Sequence, residues 1–179
     1  MHWPGFNAEG ALLLPLEKRE LLPADMPQRL RLDGLVLEQK HELHVTLLNR
    51  ATATAVLERL DAAAVADAFA ALDWQYIATR RFALVHRTKD EWDGPLQAWA
   101  VIEHLQMPAF AAFRDRLAQA TRLPLDCGIP HVTLYVAGDP AGIGLPDLAT
   151  WRACFVREVG ADEVRRPEVL PTAPRGPAS

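Results

Sequence analysis

Cysteine is scarce in this chain: Cys127 and Cys154 are its only two among 179 residues. They form neither a CxxC motif nor a disulfide framework, and predict two buried or half-buried thiols in a reducing compartment. A basic surplus is also missing. The net charge is −4, whereas proteins that grip duplex nucleic acid nonspecifically carry a positive footprint. A nucleic-acid ligand is therefore expected to be small, or held in a local basic cleft. No apolar run is long enough to span a bilayer, since Ala11–Leu14 stops at Pro15. Met1 to Glu9 lacks the basic-then-apolar order of a secretory signal. These absences predict a cytoplasmic protein with no membrane partner. What is present suits a packed domain: half the residues are apolar, enough at this length for a core without staples.

Pro4, Pro15, Pro23 and Pro27 punctuate residues 1–28, predicting loop with one extended piece near Leu12–Leu16. Leu30, Leu32, Leu35 and Leu37 flank Asp33-Gly34, a tight-hairpin dipeptide. His44–Leu48 has strand character. Val56, Leu60, Val65, Phe69 and Leu72 recur at helical spacing and predict one helix over Thr54–Leu72. Trp74–Arg87 and Leu96–Leu105 predict two strands joined at Asp93-Gly94-Pro95. A helix is expected from Pro108, which suits a first turn, to Arg122, with Phe110, Phe113, Leu117 and Ala120 as its apolar stripe. A strand over Ile129–Ala137 and a last helix over Asp147–Val159 follow. Residues 165–179 have little to bury and predict a disordered tail, leaving one domain over 1–164. This order predicts an α+β fold built on antiparallel sheet, not regular βαβ winding.

One tetrapeptide occurs twice: His44-Val45-Thr46-Leu47 and His131-Val132-Thr133-Leu134. Alternate strand residues face one side, about 6.6–6.8 Å apart. Each copy thus turns an imidazole and a hydroxyl to one face and anchors the strand through its aliphatic pair on the other. Two such strands side by side would surround a pocket with two imidazoles and two hydroxyls. With an unperturbed pKa of about 6.5, one ring can be neutral and activate water while the other, protonated, donates to a leaving oxygen. Each positioned acid or base is worth about 10²–10⁴-fold in rate. The hydroxyls can bond non-bridging phosphate oxygens, and the arrangement requires no metal or cofactor. Tyr135 shares the parity of His131 and Thr133, predicting a substrate contact or a packed ring.

The remaining signals are weaker. His41 and His44 lack HExxH spacing and would face opposite sides of a strand, against a metal site. His86 and His104 predict half-buried, satisfied histidines. Trp74, Trp92, Trp99 and Trp151 are scattered and predict core. Gly138-Asp139-Pro140-Ala141-Gly142-Ile143-Gly144 holds a Gly-x-Gly without a following Lys-Ser/Thr, and predicts a loop rimming the cleft. Arg80, Arg81, Arg87 and Lys89 are either cations for a phosphate or a solvated face.

The paired motifs, with the wider string Pro130-His131-Val132-Thr133-Leu134-Tyr135, resemble the 2H phosphoesterase superfamily, which includes bacterial 2′-5′ RNA ligase-like proteins and cyclic phosphodiesterases. The resemblance covers roughly residues 10–160. It implies a two-lobed, pseudo-twofold fold with a central cleft, His44 and His131 as the acid–base pair, and Thr46 and Thr133 as phosphate ligands. Relatives often carry a basic residue after the aromatic position, where this chain has Val136. The implied activity is metal-independent hydrolysis of a 2′,3′-cyclic phosphate on a nucleotide or short RNA, by a monomer. The alternatives are a non-catalytic nucleotide-binding module and a 2′-5′ RNA ligase-like or end-trimming enzyme.

Overall fold

The structure, a computed structural model, describes residues 1–24, 26–92 and 94–165. It is α+β, with antiparallel sheets and flanking helices. In chain order the elements are β1 (Leu12–Pro15), α1 (Lys18–Leu21), β2 (Arg29–Leu32), β3 (Leu35–Gln39), β4 (His44–Leu48), α2 (Arg50–Leu57), α3 (Ala62–Ala70), β5 (Ile77–Glu91), β6 (Gly94–Gln106), α4 (Pro108–Thr121), β7 (His131–Ala137), α5 (Leu148–Cys154), β8 (Phe155–Val159) and α6 (Ala161–Val164). Strands β1 and β4 form a two-stranded sheet; the other six follow the order β2-β3-β7-β6-β5-β8. The six-stranded sheet curls into a half-barrel. Arg157 on the edge strand β8 reaches Asp33, in the turn joining β2 to β3, with nitrogen–oxygen distances of 2.8 and 3.0 Å. The turn that Asp33 and Gly34 make needs left-handed backbone at both residues, and φ is 52° and 81°.

The two faces of the curled sheet bury different cores. Leu30, Leu37, Leu84, Val101 and Val132 join Val45 and Leu47 of β4 and the helix residues Val65, Phe69 and Phe113 in the main cluster. Ala83, Val85, Ala100 and Ile102 point the other way, beneath Ile143, Leu145 and Cys154. Strand alternation sorts them: neighbours such as Ala83 and Leu84 lie in different clusters.

Several expectations are corrected. The single helix over Thr54–Leu72 is two, because Asp61 takes extended backbone (φ −75°, ψ 165°) and its side chain accepts from the Ala64 N–H, capping a new helix. The helix over Asp147–Val159 ends at Cys154, and Phe155–Val159 instead adds an edge strand to β5. Phe155, Val156 and Val159 suit a pleated surface, and the free edge of β5 accepts them. Trp74 precedes β5: it is buried, stacked on Phe69, and donates to the Phe69 carbonyl. Trp92 is fully exposed at the end of β5, not core, and Cys127 is exposed. Of the expected turn, Asp93 lies outside the described residues, as does the expected tail from residue 166 onward.

Candidate active site

Both tetrapeptides lie in strands with the alternation their sequence requires. Val45, Leu47, Val132 and Leu134 are buried, while His44, Thr46, His131 and Thr133 are each half-buried. All four polar side chains line one cleft of about 300 Å³. Helix α2 closes one side through Asn49, whose side chain is committed to capping it by accepting from the Thr52 N–H. The loop after β7 contributes Ala141, Ile143 and Gly144. Two lysines pin that loop: Lys40 donates to the Pro140 carbonyl, and Lys89 bonds both Asp139 and the Gly142 carbonyl.

His131 has a defined tautomer. Its Nδ1 lies 2.7 Å from the Ile129 carbonyl oxygen, which can only accept, so Nδ1 carries a proton and Nε2 is the exchanging position. Burial pushes the His131 pKa below the ordinary imidazole value; the Ile129 bond opposes this, and charge on His104 and His44 adds to it. Burial also lowers His44, with Lys40 acting the same way and Glu42 against. His104 stands opposite His131 on β6. Because the Leu105 N–H bonds to the Pro130 carbonyl, the His104–His131 pair is the non-hydrogen-bonded kind, with Cα atoms about 4.5 Å apart. Trp151 packs edge-on against the His104 ring at 5.0 Å, and this half-buried histidine lines a separate hollow with Arg81, Trp151 and Glu158, not the cleft itself.

Tyr135 does not share the orientation of the motif. The β6–β7 register pairs Ile102 with Thr133 but Val101 with Tyr135, so β7 carries an extra residue at Leu134. This bulge reverses the alternation. Tyr135 consequently joins Leu134 in the main core, fully buried, and its hydroxyl donates to the Pro27 carbonyl at 2.9 Å. The parity argument for His41 also lapses, because β4 begins only at His44. His41 is exposed and shares a second, neighbouring hollow with His44. Among the described residues, no three His, Cys, Asp or Glu side chains converge as a metal site would require.

The basic residues separate. Arg80 approaches Glu103, Arg81 pairs with Glu158 and Lys89 with Asp139; only Arg87 reaches the cleft, at its exposed rim. A second cleft cation, Arg114 of α4, was not legible as such. Its signal was its position, four residues after Phe110 and three before Leu117, on the apolar stripe of the helix. It is buried, lies 5.7 Å from the Phe110 ring centroid, and donates from Nη1 to the Leu47 carbonyl at 2.9 Å.

No family model, curated protein or solved structure matches this chain. No helix of the described residues is long and apolar enough to cross a membrane.

Proposed function

We propose that the protein is a metal-independent phosphodiesterase of the 2H phosphoesterase type, which opens a 2′,3′-cyclic phosphate on a nucleotide or short RNA. The observation that carries this reading is the convergence of His44, Thr46, His131 and Thr133 on one cleft. A neutral imidazole takes a proton from water as it attacks phosphorus. The other imidazole, protonated, gives its proton to the ribose oxygen as the P–O bond breaks. For His131 the working atom is Nε2, since Nδ1 is held by Ile129. The Thr46 and Thr133 hydroxyls donate to the non-bridging oxygens, where negative charge grows. The small cleft favours a nucleotide or RNA end over a duplex. We place the protein in the cytoplasm and read it as a monomeric domain over residues 1–164.

The test is turnover of 2′,3′-cyclic nucleotides and short 2′-5′ and 3′-5′ oligonucleotides, followed by phosphorus NMR with and without EDTA. Hydrolysis that persists in EDTA and is lost in both His44→Ala and His131→Ala is the expected result. Full activity in both single variants would sink the reading. Ligand binding without turnover, unchanged when either histidine becomes glutamine, would instead identify a binding module.

A further inference from the structure

Arg114 is a cation buried where little compensates it. It is 5 % exposed, its Nη1 is spent on the Leu47 carbonyl, and its Nε is buried without a hydrogen-bond partner. That leaves Nη2 as the nitrogen that meets the cleft the residue lines. Among the described residues no carboxylate forms an ion pair with it. Asp126 and Asp147 act on it only through space, with Cys127, and burial holds its pKa below the ordinary arginine value. Asp147 is itself engaged as the cap of α5, accepting from the Thr150 N–H. An uncompensated buried charge is costly, and a fold retains one where something else supplies the opposite sign.

The cleft around it has the matching bias. No Asp or Glu of the described residues lines it, whereas Arg87 supplies a second guanidinium and Thr46 and Thr133 supply hydroxyls. A chain with net charge −4 thus concentrates unpaired positive charge and hydroxyl donors at one concavity. Two guanidinium groups and two hydroxyls, on β4, β5, β7 and α4, suit a tetrahedral oxyanion approached from several sides better than one planar carboxylate.

We propose that Arg114 is the anion-binding residue of this cleft and that it takes a phosphoryl group of the ligand. The identity of the anion rests on the phosphodiesterase reading; the unpaired guanidinium does not.

The test uses the full chain and three probes: inorganic phosphate, a nucleoside 3′-monophosphate, and the neutral nucleoside. Binding is read by calorimetry and phosphorus NMR. Arg114→Gln keeps a donor for the Leu47 carbonyl and removes the charge; it should weaken both phosphate probes by about ten- to a hundredfold and leave the nucleoside unchanged. Arg114→Lys should fall between. Wild-type affinity for phosphate in a folded Arg114→Gln, or no phosphate binding by the wild type, overturns the proposal. Should Arg114→Gln not fold, the Arg114 Nε–Hε resonance of the wild type decides: it must move on adding phosphate, and its constancy counts against the site. Phosphate binding through Arg114 with no diester turnover would leave the anion site standing and remove the phosphodiesterase reading. Turnover with phosphate binding indifferent to Arg114 would do the reverse.

Discussion

The Tyr135 hydroxyl donates to the carbonyl oxygen of Pro27 at 2.9 Å, from a ring that the bulge at Leu134 turns to the core side of β7. Gln39 donates to the same carbonyl at 3.3 Å, so the segment before β2 is tied to β3 and β7 at one oxygen. Removing the hydroxyl should therefore cost stability and spare the cleft. Tyr135→Phe is expected to lose about 0.5–1.5 kcal/mol in urea unfolding, with kcat and KM for a cyclic nucleotide unchanged. A selective rise in KM would return Tyr135 to the substrate.

Both motif histidines have pKa values below the ordinary 6.5. The general acid must be protonated and the general base neutral. Lowering both values moves the window in which one ring is charged and the other is not toward acid. The kcat/KM profile should be a bell centred below about pH 6.5, with activity falling on the alkaline side as the acid loses its proton. His131→Ala and His44→Ala should each cost at least about 10²-fold in kcat. Thr46→Val and Thr133→Val should each lower kcat by a smaller factor, since each removes one donor among several. A flat profile between pH 5 and 8 would contradict the acid–base pair.

The strand parity of the two HVTL segments was legible because period-two alternation is local and both segments carry it in four residues. What failed to be legible was non-local. The bulge at Leu134 depends on how β7 registers against β6, which nothing in Tyr135's neighbours announces. The break at Asp61 was in principle readable, as an N-cap residue within an apolar period. The helical spacing on either side masks it, because two consecutive helices preserve that spacing. Strand β8 follows directly on α5, and only the vacant edge of β5 makes it a strand. Arg114 belongs to both categories: its place on the apolar stripe was visible, but that stripe turns toward a cleft only in the folded chain.

Gly138 ends β7 at the start of the loop that rims the cleft. Its φ is +79°, and a Cβ there would fall 2.0 Å from the Gln97 carbonyl oxygen on β6. Neither strand backbone can give way without loosening the sheet. Gly138→Ala should therefore lose about 1–3 kcal/mol of stability and displace the loop carrying Asp139 and Ile143. Denaturant unfolding checks the first effect. The second should appear as a raised KM at temperatures where the variant is still folded. Gly34→Ala, with φ +81° but open space around its Cβ, should cost less and leave KM alone.

Glu103 provides a pH dependence that is separate from catalysis. It faces the main core from β6 and is fully buried, with Oε1 accepting from the Arg80 N–H at 2.9 Å. Oε2 has no hydrogen-bond partner and lies 3.7 Å from Arg80 Nη1. Burial raises its pKa above the ordinary carboxylate value of 4.5, and the Arg80 backbone bond and charge only partly oppose this. The folded protein therefore holds the proton to higher pH than the unfolded chain does. The stability it contributes is fully present below about pH 4.5 and is lost as pH rises through the folded-state pKa. Glu103→Gln retains an acceptor for the Arg80 N–H and cannot ionise, so its unfolding free energy should lack this component of the fall. Glu103→Ala strands the Arg80 N–H and should lose about 1–3 kcal/mol relative to Glu103→Gln. Urea titrations of the three proteins from pH 4 to 8 measure both effects. A wild type and Glu103→Gln that run parallel across that range would show that the carboxyl keeps the same proton affinity in the folded and unfolded chain.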